Sequence, residues 1–481
     1  MILRAARPLL LVWGLALYGQ DASLVLRTSV TYNTEKSTLK LSQDQRRQAD
    51  ELGLDAQQAN RAGQYGEALR DYYHGLAIMR GASWTPALEL ASSLRAHNTH
   101  SMVQPGSEVV VTISPLYRTP PSEGLPLSAA MFLVPAGKEG AAQSLSSPVP
   151  VDPAALPLRL SVKLPETAAG NYRVEVRLSA GPAPVSIKPA PVHVEALAAA
   201  VQQLHGRVAK LGNKNGSALL SAEYSLTLYD RADAGEIDPT RVNWRSELAA
   251  ANAILDELDA GRDPYAHRQG DMRKAYRSDV DQTLQPYRLF IPDSYDRSKP
   301  VPLVVALHGM GGDENSMFDS YGGTLKREAA RTGFAVVCPK GRDTASMYRG
   351  AAEQDVMGVL AEVRRDYKSD PKRIYLMGHS MGGYGAWSVA MDHPDVFAAL
   401  GPISGGGNPA NMAKISGIPE YVVHGDDDRT VPVTQSRTMV EAGRKAGAHI
   451  VYVEVPGGSH TSVAAPQMGP MLDFFKTQAK R

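Results

Sequence analysis

Apolar residues change their rhythm along the chain, and each change predicts a different kind of structure. From about residue 41 to 96 they recur at spacings of three and four among polar residues with few β-branched side chains, the period of amphipathic helices. From about residue 106 to 195 the period becomes two. Val109, Val111 and Ile113 alternate with polar or small partners, as do Leu158, Leu160, Val162 and Leu164, and then Tyr172, Val174, Val176 and Leu178. Such alternation predicts half-buried antiparallel strands. Several short strands separated by Pro- and Gly-containing turns predict a small β-sandwich. Helical character returns over 197–276, clearest at 244–258. The last ~200 residues alternate β-rich apolar runs (287–291, 302–307, 334–338, 373–377, 398–403, 420–424 and 450–455) with amphipathic helices, which predicts a parallel-sheet α/β domain.

These rhythms divide the 481 residues into a multidomain chain: a leader (1–19), a helical region (20–100), a β-sandwich (101–196), a second helical region (197–280) and an α/β domain (281–481). Gly63, Tyr65, Ala68, Leu69, Tyr72 and Leu76 resemble the second half of a tetratricopeptide-type hairpin. That repeat buries its faces only when copies stack, and a single copy is present, so a plain α-hairpin is expected. Gly75 stands where the repeat prefers Ala. The sandwich resembles an immunoglobulin-like one.

Composition removes several function classes. Lys+Arg 51 against Asp+Glu 50 leaves a formal charge of +1, so no global field favours nucleic acid or an anionic membrane. The only cysteine, Cys338, excludes an intrachain disulfide framework and reads as a small buried hydrophobe. His97 and His100 have a spacing that could ligate a metal, but no third ligand lies near them in sequence. Arg4 and Arg7, then the apolar run 8–18, have the layout of a secretory signal peptide, too short for a permanent span. No later segment is apolar enough for a membrane anchor. Export without disulfides predicts a bacterial periplasmic or secreted protein.

The chemistry concentrates near the C-terminus. The strand at 373–377 runs into Gly378-His379-Ser380-Met381-Gly382, and a helical stretch follows. This is G-x-S-x-G at a strand–turn–helix junction, where small neighbours let the serine hydroxyl project above the sheet. A serine nucleophile needs a base and the base an acid, in the chain order Ser, Asp or Glu, His. The strand at 420–424 ends in His424-Gly425-Asp426-Asp427-Asp428, and the strand at 450–455 ends in Pro456-Gly457-Gly458-Ser459-His460. Both loops leave the carboxyl ends of strands, on the edge of the sheet that carries Ser380. His460 is therefore the expected base, while chemistry alone leaves three aspartates open. For the oxyanion hole the expected donors are the N–H of Met381 and one from the loop His308-Gly309-Met310-Gly311-Gly312, with Met310 or Gly311 the candidates. His308, His379 and His424 read as shape-setting or structural residues, and Asp355 and Arg365 as solvent or packing residues.

Residues ~285–481 resemble the α/β-hydrolase superfamily, and within it the polyhydroxybutyrate-depolymerase and feruloyl-esterase-like group. The likeness rests on HGMGG, on DPKRIYLMGHSMGGYGAW, on HGDDDRTVP and on the terminal GGSH. It implies a serine carboxylic-ester hydrolase, free of metal and organic cofactors, acting on an ester substrate that can be polymer-borne. By the family spacing, four residues after the histidine of HG, it implies Asp428 as the acid, with Asp427 in reserve. Only about sixteen residues (404–419) separate two of the strands, leaving no room for the helical cap of many lipases. An open site of that kind suits short-chain or aromatic, feruloyl-like esters. Two other functions compete: a prolyl-oligopeptidase-like serine peptidase, for which the preceding residues hold too few strands to build a propeller, and a non-enzymatic binding protein with an inactive hydrolase fold.

Overall fold

In the computed structural model, the described residues are 18–119, 125–138, 141–181, 184–212, 216–266, 268–343 and 345–480. The expected leader falls almost wholly on residues 1–17, outside them. The chain forms two compact units, one of residues 1–199 with 228–244, the other of residues 200–227 with 245–481. Among the described residues, no helix is long and apolar enough to cross a membrane.

In the first unit, helices Gln43–Arg61 and Tyr65–Met79 form an antiparallel hairpin turned by Gly63 at φ 74°. Ser42 and Gln45 close a capping box at its start, each side chain meeting the other's backbone N–H. Gly75 has a packing reason. A side chain there would collide with Tyr32 of helix Tyr18–Thr38, whose buried ring reaches across to bond the Ala49 carbonyl. The alternating segments form two sheets. One is three-stranded and antiparallel (Leu94–Asn98, Glu108–Pro115, Leu158–Lys163), and the other is built around Ser128–Pro135, Gly170–Ser179 and Pro184–Val194. Val109, Val111 and Ile113 of the first share one core with Val174, Val176 and Leu178 of the second, because alternation turns every second side chain inward.

In the second unit, eight strands build one sheet: β1 (Gly270–Arg277), β2 (Leu284–Ile291), β3 (Val301–Leu307), β4 (Ala335–Pro339), β5 (Ser369–His379), β6 (Ala399–Ile403), β7 (Glu420–Gly425) and β8 (Ile450–Val455). Their spatial order is β1-β2-β4-β3-β5-β6-β7-β8. The first two are antiparallel to their neighbours and the rest are parallel. Strands β3, β4 and β6 are buried along their whole length, as expected of strands covered on both faces. Helices α1 (Thr324–Thr332), α2 (Ala351–Asp366), α3 (Met381–Asp392), α4 (Thr434–Lys445) and α5 (Ala464–Lys476) connect or follow the strands. One core joins Val304, Val336, Tyr375 and Val423 of the sheet to Leu325 and Ala329 of α1 and to Met468, Leu472 and Phe475 of α5. Cys338 is buried in it.

The structure departs from the sequence reading at residues 270–277. These were expected to be helical but form β1, paired along its length with β2. Local residues such as Asp271, Arg273 and Lys274 look like the exposed face of a helix; here they are held by partners distant in sequence, Asp271 by Arg288 and Lys326, Lys274 by Asp366. Those partners are 17 to 92 residues away and leave no local trace.

Candidate active site

Ser380 stands between β5 and α3 with φ 58° and ψ −119°, a conformation sparsely populated for any side chain larger than glycine. Its surroundings leave the turn little alternative. Side chains at Gly378 and Gly382 would run into the Gly382 backbone and the Leu307 carbonyl, respectively, and one at Gly383 would lie 2.7 Å from the Ile403 carbonyl. The Ser380 N–H donates to the Ile403 carbonyl at 2.9 Å, and the Gly383 and Tyr384 N–H groups return to the Ser380 carbonyl. Backbone packing on β3 and β6 thus fixes the turn, and the hydroxyl stands out at the carboxyl end of the sheet.

The loops after β7 and β8 are stitched together. Asp427 N–H donates to Gly458, Asp426 N–H to Val455, and the Gly457 N–H returns to the Asp426 carboxylate at 2.6 Å. Gly425 has no room for a side chain because the Gly458 carbonyl lies against it. This stitching brings His460 beside Ser380. Its Nε2 lies 2.8 Å from Ser380 Oγ, and its Nδ1 lies 2.7 Å from Asp428 Oδ2.

Of the three aspartates, then, Asp428 meets His460. Asp426 is used in the stitching, and Asp427 turns to solvent with Arg429 at 3.2 Å. The Asp428 side chain is fully buried, with Oδ1 accepting the Thr430 and Val431 N–H groups at 2.9 Å each. Burial alone would raise its pKa. Bonds from His424, from His460 and from the Val431 amide outweigh that and hold the carboxyl well below its ordinary value, so it is ionised at neutral pH.

The loop carrying Met310 and Gly311 passes directly beside the serine: a side chain on Gly309 would lie 3.3 Å from Ser380 Cβ. A turn from the Gly309 carbonyl to the Gly312 N–H, 3.1 Å, shapes it. Met381 is the first residue of α3, where an N–H has no acceptor within its own helix. His308 spans from this loop to the Lys340 carbonyl at 2.7 Å, and buried Tyr348 bonds the His308 carbonyl at 3.2 Å.

Of the neighbours around the row, His379 was read as shape-setting, while Tyr321 and Ser404 were not legible beforehand. His379 is pushed down to about 4, chiefly by burial, so its ring is neutral at pH 7. One ring nitrogen takes the Tyr321 hydroxyl at 2.8 Å, and the other donates to the His460 carbonyl at 2.8 Å. Ser404, itself at φ 48°, donates to that same carbonyl at 3.3 Å. The backbone of His460 is therefore held from two sides. Tyr321 and Ser404 carry no motif, and nothing in the sequence could have singled them out. Asp355 is a buried hub for Tyr276, Ser278 and Arg342, whereas Arg365 stays on the surface with Glu362. His100 pairs with Asp233 at 2.8 Å; among the described residues no cluster of three or more metal-ligating side chains forms.

Residues 282–416 match the family described as putative esterase. A probable feruloyl esterase C of Aspergillus oryzae is 28% identical over 183 residues, which is 37% of this chain and 68% of that protein. Feruloyl esterase B of Neurospora crassa is 34% identical over 128 residues, 24% of this chain and 42% of that protein, less than half its length. Among solved structures, a ferulic acid esterase aligns over 44% of this chain and 99% of its own with 18% identity and a TM-score of 0.38. The sequence matches make the C-terminal unit similar to esterases, the feruloyl esterases among them. As a class it is a carboxylic ester hydrolase.

Proposed function

We propose that the chain is an exported serine esterase that forms its acyl-enzyme on Ser380, with His460 as base, Asp428 as acid, and Met381 with Met310 or Gly311 as oxyanion donors. The observation that carries this is the unbroken row of hydrogen bonds from Ser380 through His460 to Asp428. Ser380 Oγ attacks the ester carbonyl carbon while its proton passes to His460 Nε2. The ionised Asp428 fixes the ring with its hydrogen on Nδ1 and stabilises the imidazolium. Backbone N–H groups receive the charge that develops on the carbonyl oxygen. The carbon–oxygen bond then breaks, the departing alcohol takes the proton from His460, and an acyl-serine remains. Water attacks it, gives its proton to His460, and releases the acid as the proton returns to Ser380.

The substrates proposed are short-chain or aromatic esters, feruloyl-like and where appropriate polymer-borne. Two things support this: the feruloyl esterases among the sequence relatives, and the short β6–β7 connection, which holds one 3₁₀ segment (Pro409–Ile415) and no helical cap. The organisation proposed around it is a leader (1–19), helical (20–100), β-sandwich (101–196) and further helical (197–280) parts before the catalytic one, with β1 as the strand noted above.

Ser380→Ala tests the mechanism. It should abolish labelling by a fluorophosphonate and lower ester turnover by several orders of magnitude, leaving only what binding and the oxyanion donors supply. Unchanged labelling of the folded variant refutes it. For the substrate, kcat/KM is compared for an acetyl or butyryl aryl ester, a feruloyl ester, a palmitoyl ester and a prolyl anilide. The first two should lead. A preference for the anilide would make the protein a peptidase instead.

A further inference from the structure

Asp428 is held by more than His460. Its Oδ2 lies 3.2 Å from Nε2 of His424, a side chain with no solvent exposure on β7. The same Nε2 lies 2.9 Å from the Val431 carbonyl. Both neighbours can only accept, so Nε2 carries a hydrogen. On the other side of the ring, the Ser436 hydroxyl stands 2.7 Å from Nδ1. Ser436 is itself buried on α4 and donates its hydroxyl hydrogen to the Gly405 carbonyl at 3.0 Å.

The acid thus accepts from Thr430 and Val431 at Oδ1 and from His460 and His424 at Oδ2. We propose that His424 is a positioning residue of the catalytic row: its Nε2–H clamps the Oδ2 of Asp428 that orients His460, and Ser436 holds the ring in place from Nδ1. The proposal rests on the serine-esterase reading and adds a residue that touches neither substrate nor the reacting atoms.

The clamp has two consequences. It stops the carboxylate rotating away from His460. It also withdraws part of the charge with which Oδ2 stabilises the imidazolium, so losing the His424 donor should make protonated His460 easier to form. The other charged and titratable groups around His424 are few. His379 lies at the end of β5, and Glu454 is its register partner on β8. Glu454 is neutralised by Arg437 of α4 at 2.9 Å. The influence of the His424 ring on each is small beside burial for His379 and the Arg437 bond for Glu454.

The test uses His424→Leu, His424→Gln and Ser436→Ala in the full chain, with active enzyme counted by fluorophosphonate titration. A glutamine amide can place a donor near the position of Nε2, whereas leucine places none. His424→Leu should lower kcat about 10- to 100-fold with KM little changed, the effect of one lost bond to a charged acceptor. The acidic limb of kcat/KM should move toward higher pH by up to about one unit. His424→Gln should restore most of kcat and return the limb, and Ser436→Ala should fall between. If the leucine variant folds poorly, the glutamine and alanine profiles still decide. A Ser436→Ala limb coincident with wild type, or glutamine and leucine variants that behave alike, overturns the role of His424. Ser380→Ala runs in parallel: turnover that survives it overturns the serine reading itself.

Discussion

Glu420 begins β7 with no solvent exposure, directly beneath the helix that follows the nucleophile. Its Oε2 accepts the Trp387 indole N–H at 2.7 Å, while Oε1 has no hydrogen-bond partner. Burial pushes its pKa up from 4.5 to about 7, against the smaller opposing effect of the indole bond. The folded protein therefore holds this proton more tightly than the unfolded chain does. Its contribution to stability is fully present below pH 4.5, declines as pH rises toward about 7, and is constant above. At about 1.4 kcal/mol per pH unit, the whole decline amounts to roughly 3 kcal/mol, of which about 2–3 kcal/mol falls between pH 5 and 8. Glu420→Gln removes the titration and keeps an acceptor for Trp387. Its amide adds unpaired donors costing about 1–3 kcal/mol, but equally at every pH. The measurement is urea unfolding of both proteins at pH 5 and pH 8, followed by near-ultraviolet circular dichroism and by residual esterase activity. The stability difference, variant minus wild type, should rise by about 2–3 kcal/mol from pH 5 to pH 8, because all other titrating groups cancel. A difference that stays constant with pH refutes the assignment of a buried, proton-holding carboxyl to Glu420.

Two further outcomes follow from the site. Asp428→Asn should cost about 10⁴ in kcat by removing the charge that sets the His460 tautomer, whereas Asp427→Asn, on the surface with Arg429, should cost far less; steady-state kinetics on the two variants decides, and a crippled Asp427→Asn would mean that the turn after β7 is set differently. Gly382→Ala should lower the unfolding free energy by about 1–3 kcal/mol or more and reduce labelling of Ser380, because the added methyl meets the Leu307 and His308 carbonyls; a variant with wild-type stability and labelling would show that the elbow can relax.

The glycines of the elbow, the strand ends and the order Ser, Asp, His are local or linear features. That is why Ser380 and His460, with the loop of Met310 and Gly311, could be singled out as candidates from the sequence. The choice among Asp426, Asp427 and Asp428 was of a different kind. Adjacent, chemically identical side chains have no pattern that separates them, and only the stitching of two loops more than twenty residues apart turns one of them inward. The surroundings of His424 were hidden for the same reason: its partners Asp428 and Val431 are near in sequence, but Ser436, tied to Gly405, reaches it only through the packing of α4 and the β6 loop.

Periodicity likewise pointed to strands within residues 106–195 and to alternating strand and helix in the last two hundred, since side-chain period follows from backbone geometry alone. It could not find β1. That segment's charges are matched by Arg288, Lys326 and Asp366, and only the folded sheet brings them to it. What the sequence determined by itself is whatever the backbone imposes within a few residues: period, turn chemistry and the elbow. What only the tertiary structure decided is which polar group meets which, because that depends on distances between segments the chain has yet to bring together.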